Sequence, residues 1–226
     1  MEYINNIYSD AKSLSQTEKT ILDELKKHDM SPANCIWGTS ICSDEVNNSF
    51  LSLGTHFKAP GPFFFGGISG LPFTGKTGFA AFASHIPDDG GALILFGPHI
   101  GISADGTVGK VKREGQADIT GCCGSLAAGL QTVESGSVPV EDHSDYQQTQ
   151  VSKMLIEKHA ELKEADDPII EATEIAYTQI KRELNDIITN MKETLGDKKL
   201  LLAGGILINT DWQQEDYFEL RDVIEF

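Results

Sequence analysis

Two thiols, an imidazole and a carboxylate stand in three separated pieces of this chain: Cys42-Ser43-Asp44, His99, and Cys122-Cys123-Gly124. Such a set can build an open zinc centre, in which three protein ligands hold the metal and the fourth position is left to water. Two cysteines and one histidine are among the ligand sets that catalytic zinc uses. Asp44 is then free to handle the water. Cys35, inside an apolar run, reads as core, because a buried free cysteine behaves as a small hydrophobe. Two choices stay open on the residues alone. Cys122 competes with Cys123, and Gly124 favours the latter because close approach of backbone to a metal suits glycine. His85, in His85-Ile-Pro-Asp-Asp-Gly90, could replace His99, shuttle protons near the cleft or hydrogen-bond in the core, since an imidazole with a pKa near 6.5 can do any of these. We place His85 beside the site and His99 on the metal.

The elements that must position these residues read in order along the chain. Ser15 precedes apolar residues at helical spacing through His28, which predicts a capped amphipathic helix. From about Asn34 to Val138 glycine and short apolar runs dominate, including Cys35–Ile41, Gly61–Phe65 and Ala92–Phe96, and runs of that length suit buried strands. Cys42 and His99 each follow such a strand, where open α/β sheets gather their functional groups. Thr120-Gly-Cys-Cys-Gly-Ser reads as a turn entering a helix, a place that favours thiolate. Ser144 to about Leu195 is polar and helical, broken at Asp166-Asp-Pro168, where the proline marks a new helix start. Lys199–Asn209 reads as one more buried strand. The expectation is an α/β (α+β) fold, a central mixed sheet flanked by helices. We expect one domain over 1–226: a helical arm (1–33), a sheet core with the metal site (34–140), a helical region (141–198), and a closing strand and tail (199–226).

The chain has 226 residues, 40% of them hydrophobic, enough for one substantial core. Eighteen basic against thirty-four acidic residues give a formal charge of -16, which argues against nucleic acid and anionic membrane as partners. No apolar run reaches the length of a spanning helix, and the first residues lack both a charged n-region and an apolar h-region. The expectation is a soluble intracellular, cytoplasmic protein; a targeting peptide absent from this sequence would redirect it to a chloroplast or other organelle. Four cysteines in a reducing compartment point to metal or catalysis rather than disulfides.

Cys42-Ser-Asp-Glu-Val-Asn47, Gly70–Phe82, His85–Gly90, Phe96-Gly-Pro-His-Ile-Gly101 and Asp105–Gln116 together resemble the low-CO2-inducible protein B family, which includes theta-class carbonic anhydrases. The resemblance is dense from about Asn34 to Leu130. It implies a fold similar to beta carbonic anhydrases, a homodimer, and reversible hydration of CO2 to bicarbonate by zinc-bound hydroxide, with a place in inorganic carbon metabolism. It implies Cys42, His99 and Cys123 as zinc ligands and Asp44 as the carboxylate that orients the hydroxide. In beta enzymes an arginine commonly follows that aspartate by two residues, whereas this chain has Val46. Arg113, inside the shared Asp105–Gln116 motif, is the substitute partner this reading selects, with a surface ion pair as the bland alternative. Zinc brings the pKa of water to about 7 in three-histidine sites; two thiolates donate more charge, so a higher value is expected here.

Two rival functions deserve weight. Gly70-Leu-Pro-Phe-Thr-Gly75-Lys76-Thr77 satisfies the phosphate-loop string G-x-x-x-x-G-K-[ST], which needs a buried strand before it and a full helix after it. Pro87 cuts the following helix short, and the nearest strand-end aspartate is the distant Asp211. Phe73, Phe79 and Phe82 read instead as an apolar wall close to the metal. A catalytically silent scaffold, with zinc holding the fold, is the other rival.

Overall fold

A computed structural model describes residues 2–59 and 61–226. Its strands are β1 (Lys12–Ser13), β2 (Cys35–Ser40), β3 (Phe63–Phe64), β4 (Gly91–Phe96), β5 (His99–Gly101), β6 (Lys110–Lys112), β7 (Ile119–Gly121), β8 (Lys199–Asn209) and β9 (Tyr217–Glu225). Its α-helices are α1 (Glu2–Ile7), α2 (Leu14–Lys27), α3 (Gly75–Ser84), α4 (Gly124–Ser135), α5 (Tyr146–Glu157), α6 (His159–Glu164), α7 (Pro168–Asn190) and α8 (Lys192–Leu195). One seven-stranded sheet runs β1-β9-β8-β4-β2-β3, with β5 also paired to β8, and β6-β7 form a separate hairpin. β3, β2, β4, β8 and β5 are parallel, while β9 and β1 add antiparallel pairs, so the sheet is mixed.

Alternation along the central strands assigns the two cores. Ile36, Ala92, Ile94, Phe96, Leu200, Leu202, Ile206 and Ile208 point to one face, where α3, α4, α5 and α7 pack. Cys35, Trp37, Leu93, Leu95, Leu201, Ala203 and Leu207 point to the other, covered by Leu14, Ile21 and Leu25 of α2 and by Phe50, Leu53 and Phe57. Strands covered on both faces are apolar at nearly every position, which is why β4 and most of β2 and β8 read as near-continuous hydrophobic runs. Each large side chain fully buried there contributes about 1.5–3 kcal/mol. Gly97 links β4 to β5 with φ +152, and a Cβ there would lie 1.8 Å from Gly205 O, so only glycine lets the chain turn toward β5.

Several expectations need amendment. The second helix starts at Leu14, one residue ahead of Ser15, and Ser13 at its N-cap makes no side-chain capping bond. The tail after Asn209 contains a nine-residue strand, β9, which the charges of Glu219, Arg221 and Asp222 disguised. Glu219 is satisfied there by Arg221, and Asp222 by Lys181 and Tyr177, so ion pairs at the sheet's edge stand where apolar residues would have signalled a strand. At Asp167 the reading and the structure coincide: its side chain accepts from the amides of Ile169 and Ile170, with Pro168 opening α7.

The Gly70–Thr77 segment does not have phosphate-loop geometry. The helix after it is ten residues, longer than the run past Lys76 suggested. The amides of Gly70, Leu71, Phe73, Thr74 and Gly75 are all donated to backbone carbonyls, and Pro72 has none to give. Only the Lys76 and Thr77 amides, at the start of α3, remain undonated, too few to form the cradle of successive amides that a phosphate loop needs. Asp211 is likewise engaged, accepting from the amides of Ala104 and Lys112.

Candidate metal centre

Three chain segments converge beyond the carboxyl ends of the parallel strands, where a sheet leaves a crevice. Cys42 lies two residues past the end of β2, His99 opens β5, and Asn209 ends β8. Cys123 arrives from the β6-β7 hairpin as the N-cap of α4. Gly101 allows that approach, because a Cβ there would meet Cys122 Cβ at 2.8 Å.

Ligating atoms of Cys42, His99 and Cys123 all fall within 4.8 Å of one another, and all three residues are buried. The two sulfurs are 3.9 Å apart. Two zinc–sulfur bonds of about 2.3 Å meeting at a tetrahedral angle would hold them about 3.8 Å apart. His99 Nδ1 bonds Asn209 Oδ1 at 2.8 Å, while the buried Nε2 has no partner among the described residues. A ring fixed through one nitrogen with the other left bare is the usual state of a metal-ligating histidine. The donor set therefore fits zinc. A second grouping, Asp44, His99 and Cys122, is as compact, but Cys122 Sγ lies 3.5 Å from Nδ1, the nitrogen already bound to Asn209. Cys122 thus sits on the side of the ring that Asn209 already occupies, whereas Cys123 stands beside the Cys42 sulfur.

The electrostatics match this arrangement. A hydrogen bond to Cys123, reinforced by burial, pushes the Cys42 thiol up. The same contact pulls Cys123 well down against the cost of burial, helped by His99 and by the Leu126 amide in the first turn of α4. Burial opposes charge on His99, yet Cys123 and the contacts to Cys122 and Cys42 raise its pKa well above the ordinary imidazole value. A divalent cation needs both thiols deprotonated and the imidazole neutral, so its binding would release protons from this cluster.

Ser69 adds a donor that sequence reasoning missed. It holds φ +57, its amide donates to Cys42 Sγ at 3.2 Å, and its hydroxyl bonds Ser125 at 3.1 Å. The Ile68 amide of the same turn donates to Gln147 of α5. Asn209, the residue that anchors His99, was also missed; its only signal is a polar residue ending the apolar run Gly205-Ile-Leu-Ile-Asn209.

Asp44 caps the 3-10 stretch Glu45–His56 by accepting from the Val46 amide, and it faces Arg113. Arg113 Nη2 lies 2.9 and 3.2 Å from the two carboxylate oxygens, Nε binds Glu45, and Nη1 binds Thr120 and the Gly121 carbonyl. A cavity of about 280 Å³ opens beside Cys42 and Asp44, with Ile41, Leu51 and Phe64 as its apolar wall. Phe79 and Phe82, expected near the metal, are buried in the core under α3, and Phe73 packs against Tyr146. His85 is not brought to the site. It caps the C-terminus of α3 on the surface, beside a different cavity with Ile36, Trp37 and Pro87, toward the opposite end of β2.

The family model for "Limiting CO2-inducible proteins B/C beta carbonic anhydrases" matches residues 11–223. This chain belongs to that family. The crystal structure of PtLCIB4, a homologue of the limiting CO2-inducible protein LCIB, is 31% identical with a TM-score of 0.92, covering 99% of this chain and 94% of its own. The structure of LCIB itself is 19% identical with a TM-score of 0.72, covering 97% of this chain and 92% of its own, and shares the fold. No curated protein sequence matches the chain. The fold of this LCIB-family member is thus the beta-carbonic-anhydrase-like mixed sheet with helices on both faces. Among the described residues no helix is long and apolar enough to cross a membrane.

Proposed function

We propose that this chain is a zinc-dependent carbonic anhydrase that interconverts CO2 and bicarbonate. The observation that carries the proposal is a buried histidine with an unpartnered Nε2 and a ring nitrogen within 4.8 Å of two thiols that lie 3.9 Å apart. Membership in a family described as beta carbonic anhydrases supports it. Zinc held by Cys42, His99 and Cys123 would supply a Lewis acid that brings the pKa of water toward neutrality.

The chain's own residues do the rest. Asp44 is an acceptor whose orientation Arg113 fixes from one side, leaving oxygen lone pairs to take a hydrogen bond from water in the crevice. Water that donates to Asp44 turns a lone pair away from the carboxylate, toward a substrate carbon. Ile41, Leu51 and Phe64 offer that substrate an apolar wall, suited to an uncharged molecule the size of CO2. A site built only to hold the fold would be closed by a fourth protein ligand. Asp44 is instead tied to Arg113, which favours catalysis over the scaffold reading.

Stopped-flow CO2 hydration on protein of known zinc content tests this, beside Cys42→Ser and Asp44→Ala. The parent should be fast and both variants slow, with zinc kept by Asp44→Ala and lost by Cys42→Ser. A zinc-replete parent no faster than buffer would remove the enzyme reading and leave the scaffold.

A further inference from the structure

Asn209 is more than a passive partner of His99, because its amide has two ends and only one orientation suits a metal. With Oδ1 toward His99, Nδ1 must carry the proton and Nε2 keeps a lone pair. With the amide reversed, its NH2 would ask Nδ1 for a lone pair, the proton would move to Nε2, and the ring could not ligate through that atom. Something must choose between the two.

The far end of the amide shows what chooses. Asn209 Nδ2 is shared between Val46 O at 3.3 Å and Asp216 Oδ2 at 3.5 Å. Both groups are acceptors, so only the NH2 can face them, and Oδ1 is left for His99. The half-buried Asp216 is itself held: Oδ1 accepts from the Thr210 amide at 2.8 Å and the Thr210 hydroxyl at 3.3 Å, and Oδ2 accepts from Ser49 Oγ. We propose that Asp216 is a positioning residue that locks the Asn209 amide and, through it, the metal-binding tautomer of His99. Burial pushes the Asp216 carboxyl up, while the bonds from Ser49, Thr210 and Asn209 oppose that shift and favour the acceptor form. The lock joins the end of β8, the start of β9 and the 3-10 stretch after Asp44. Residues of all three must be in place before His99 presents Nε2.

The inference rests on the zinc reading, and its test separates the two. Zinc affinity of the reduced full chain is measured by competition with a chromophoric chelator for the parent, Asp216→Asn, and Asp216→Asn combined with Asn209→Asp. Asp216→Asn removes the charged acceptor and leaves only the Val46 carbonyl to hold the NH2, and zinc affinity should fall about tenfold, at the low end of what outer partners of a metal histidine contribute. In the double variant residue 209 is a carboxylate, which accepts from Nδ1 whichever way it turns, so the lock becomes dispensable and affinity should return. A residue that merely braced the fold would leave the double as weak as the single. Parent-like affinity in Asp216→Asn, or no recovery in the double, overturns the lock alone; a parent that binds no zinc overturns the metal reading and the lock with it.

Discussion

Arg113 meets Asp44 across 69 positions of sequence, with Nη2 2.9 Å from Oδ2 and 3.2 Å from Oδ1. Both side chains are only 15% exposed, so the pair is screened less than a surface bridge would be. Position 46, where beta enzymes commonly carry an arginine, is valine here, and the arginine beside Asp44 comes instead from the β6-β7 hairpin. That hairpin also leads into Cys123, so one β6-β7 unit positions both a proposed zinc ligand and the partner of the carboxylate.

Removing Arg113 should therefore reach the chemistry without reaching the ligands. In Arg113→Ala the Asp44 carboxylate loses its anchor and is free to turn toward the metal cation, occupying the place that water needs. CO2 hydration should drop about 100-fold, the scale of a misplaced catalytic group, while zinc per chain stays at the parent level. Arg113→Lys should not restore the rate, because one ammonium cannot reproduce a planar fork that binds Asp44, Glu45 and Thr120 together. Parent-like turnover in either variant would show that Asp44 needs no such anchor.

The two histidines of the family-like motifs should part company completely. His99→Ala removes the bare Nε2 and should leave protein without stoichiometric zinc, by elemental analysis after desalting. His85→Ala changes a surface residue at the end of α3 and should keep both zinc and hydration rate. Zinc loss on changing His85 would mean that the pocket with Trp37, and not the crevice beyond β5, is the metal's place.

How much of this could be read from the residues alone divides along physical lines. Lys199–Asn209 was legible as a strand to the residue, since a strand buried on both faces carries a near-continuous apolar run, here Leu200–Ile208. That Cys42 and His99 would come together was legible because strand ends are where α/β sheets gather chemistry-bearing residues. What stayed hidden depends on distance along the chain or on backbone shape. Asn209 lies 110 residues from His99, and nothing local marks it as that ring's partner. Ser69 acts through an amide exposed by φ +57, which a serine in Ile-Ser-Gly does not announce. His85 misled because its motif is conspicuous in sequence, whereas its position, at the wrong end of β2, exists only in three dimensions.

Asp105 gives the loop leading to Arg113 a dependence on pH whose sign can be worked out. Hydrogen bonds from the Ser103 hydroxyl, at 2.6 Å, and from Thr107, whose amide lies at 3.0 Å, pull its carboxyl down to about 2 from an ordinary 3.8. The folded state therefore favours the carboxylate more than the unfolded chain does. A depressed folded pKa contributes stability that is fully present above the unfolded value and is lost as pH falls through about 2. Asp105→Asn lacks the charge, so it should melt below the parent at pH 5 to 7 and converge with it as pH drops from 4 toward 2, followed by circular dichroism on metal-free protein. At neutral pH the same variant should show faster amide exchange in the Ser103–Thr107 turn, because that turn's bonds converge on the missing carboxylate. An Asp105→Asn melting difference that widens in acid would reverse the sign and remove this carboxylate from the forces that hold the loop.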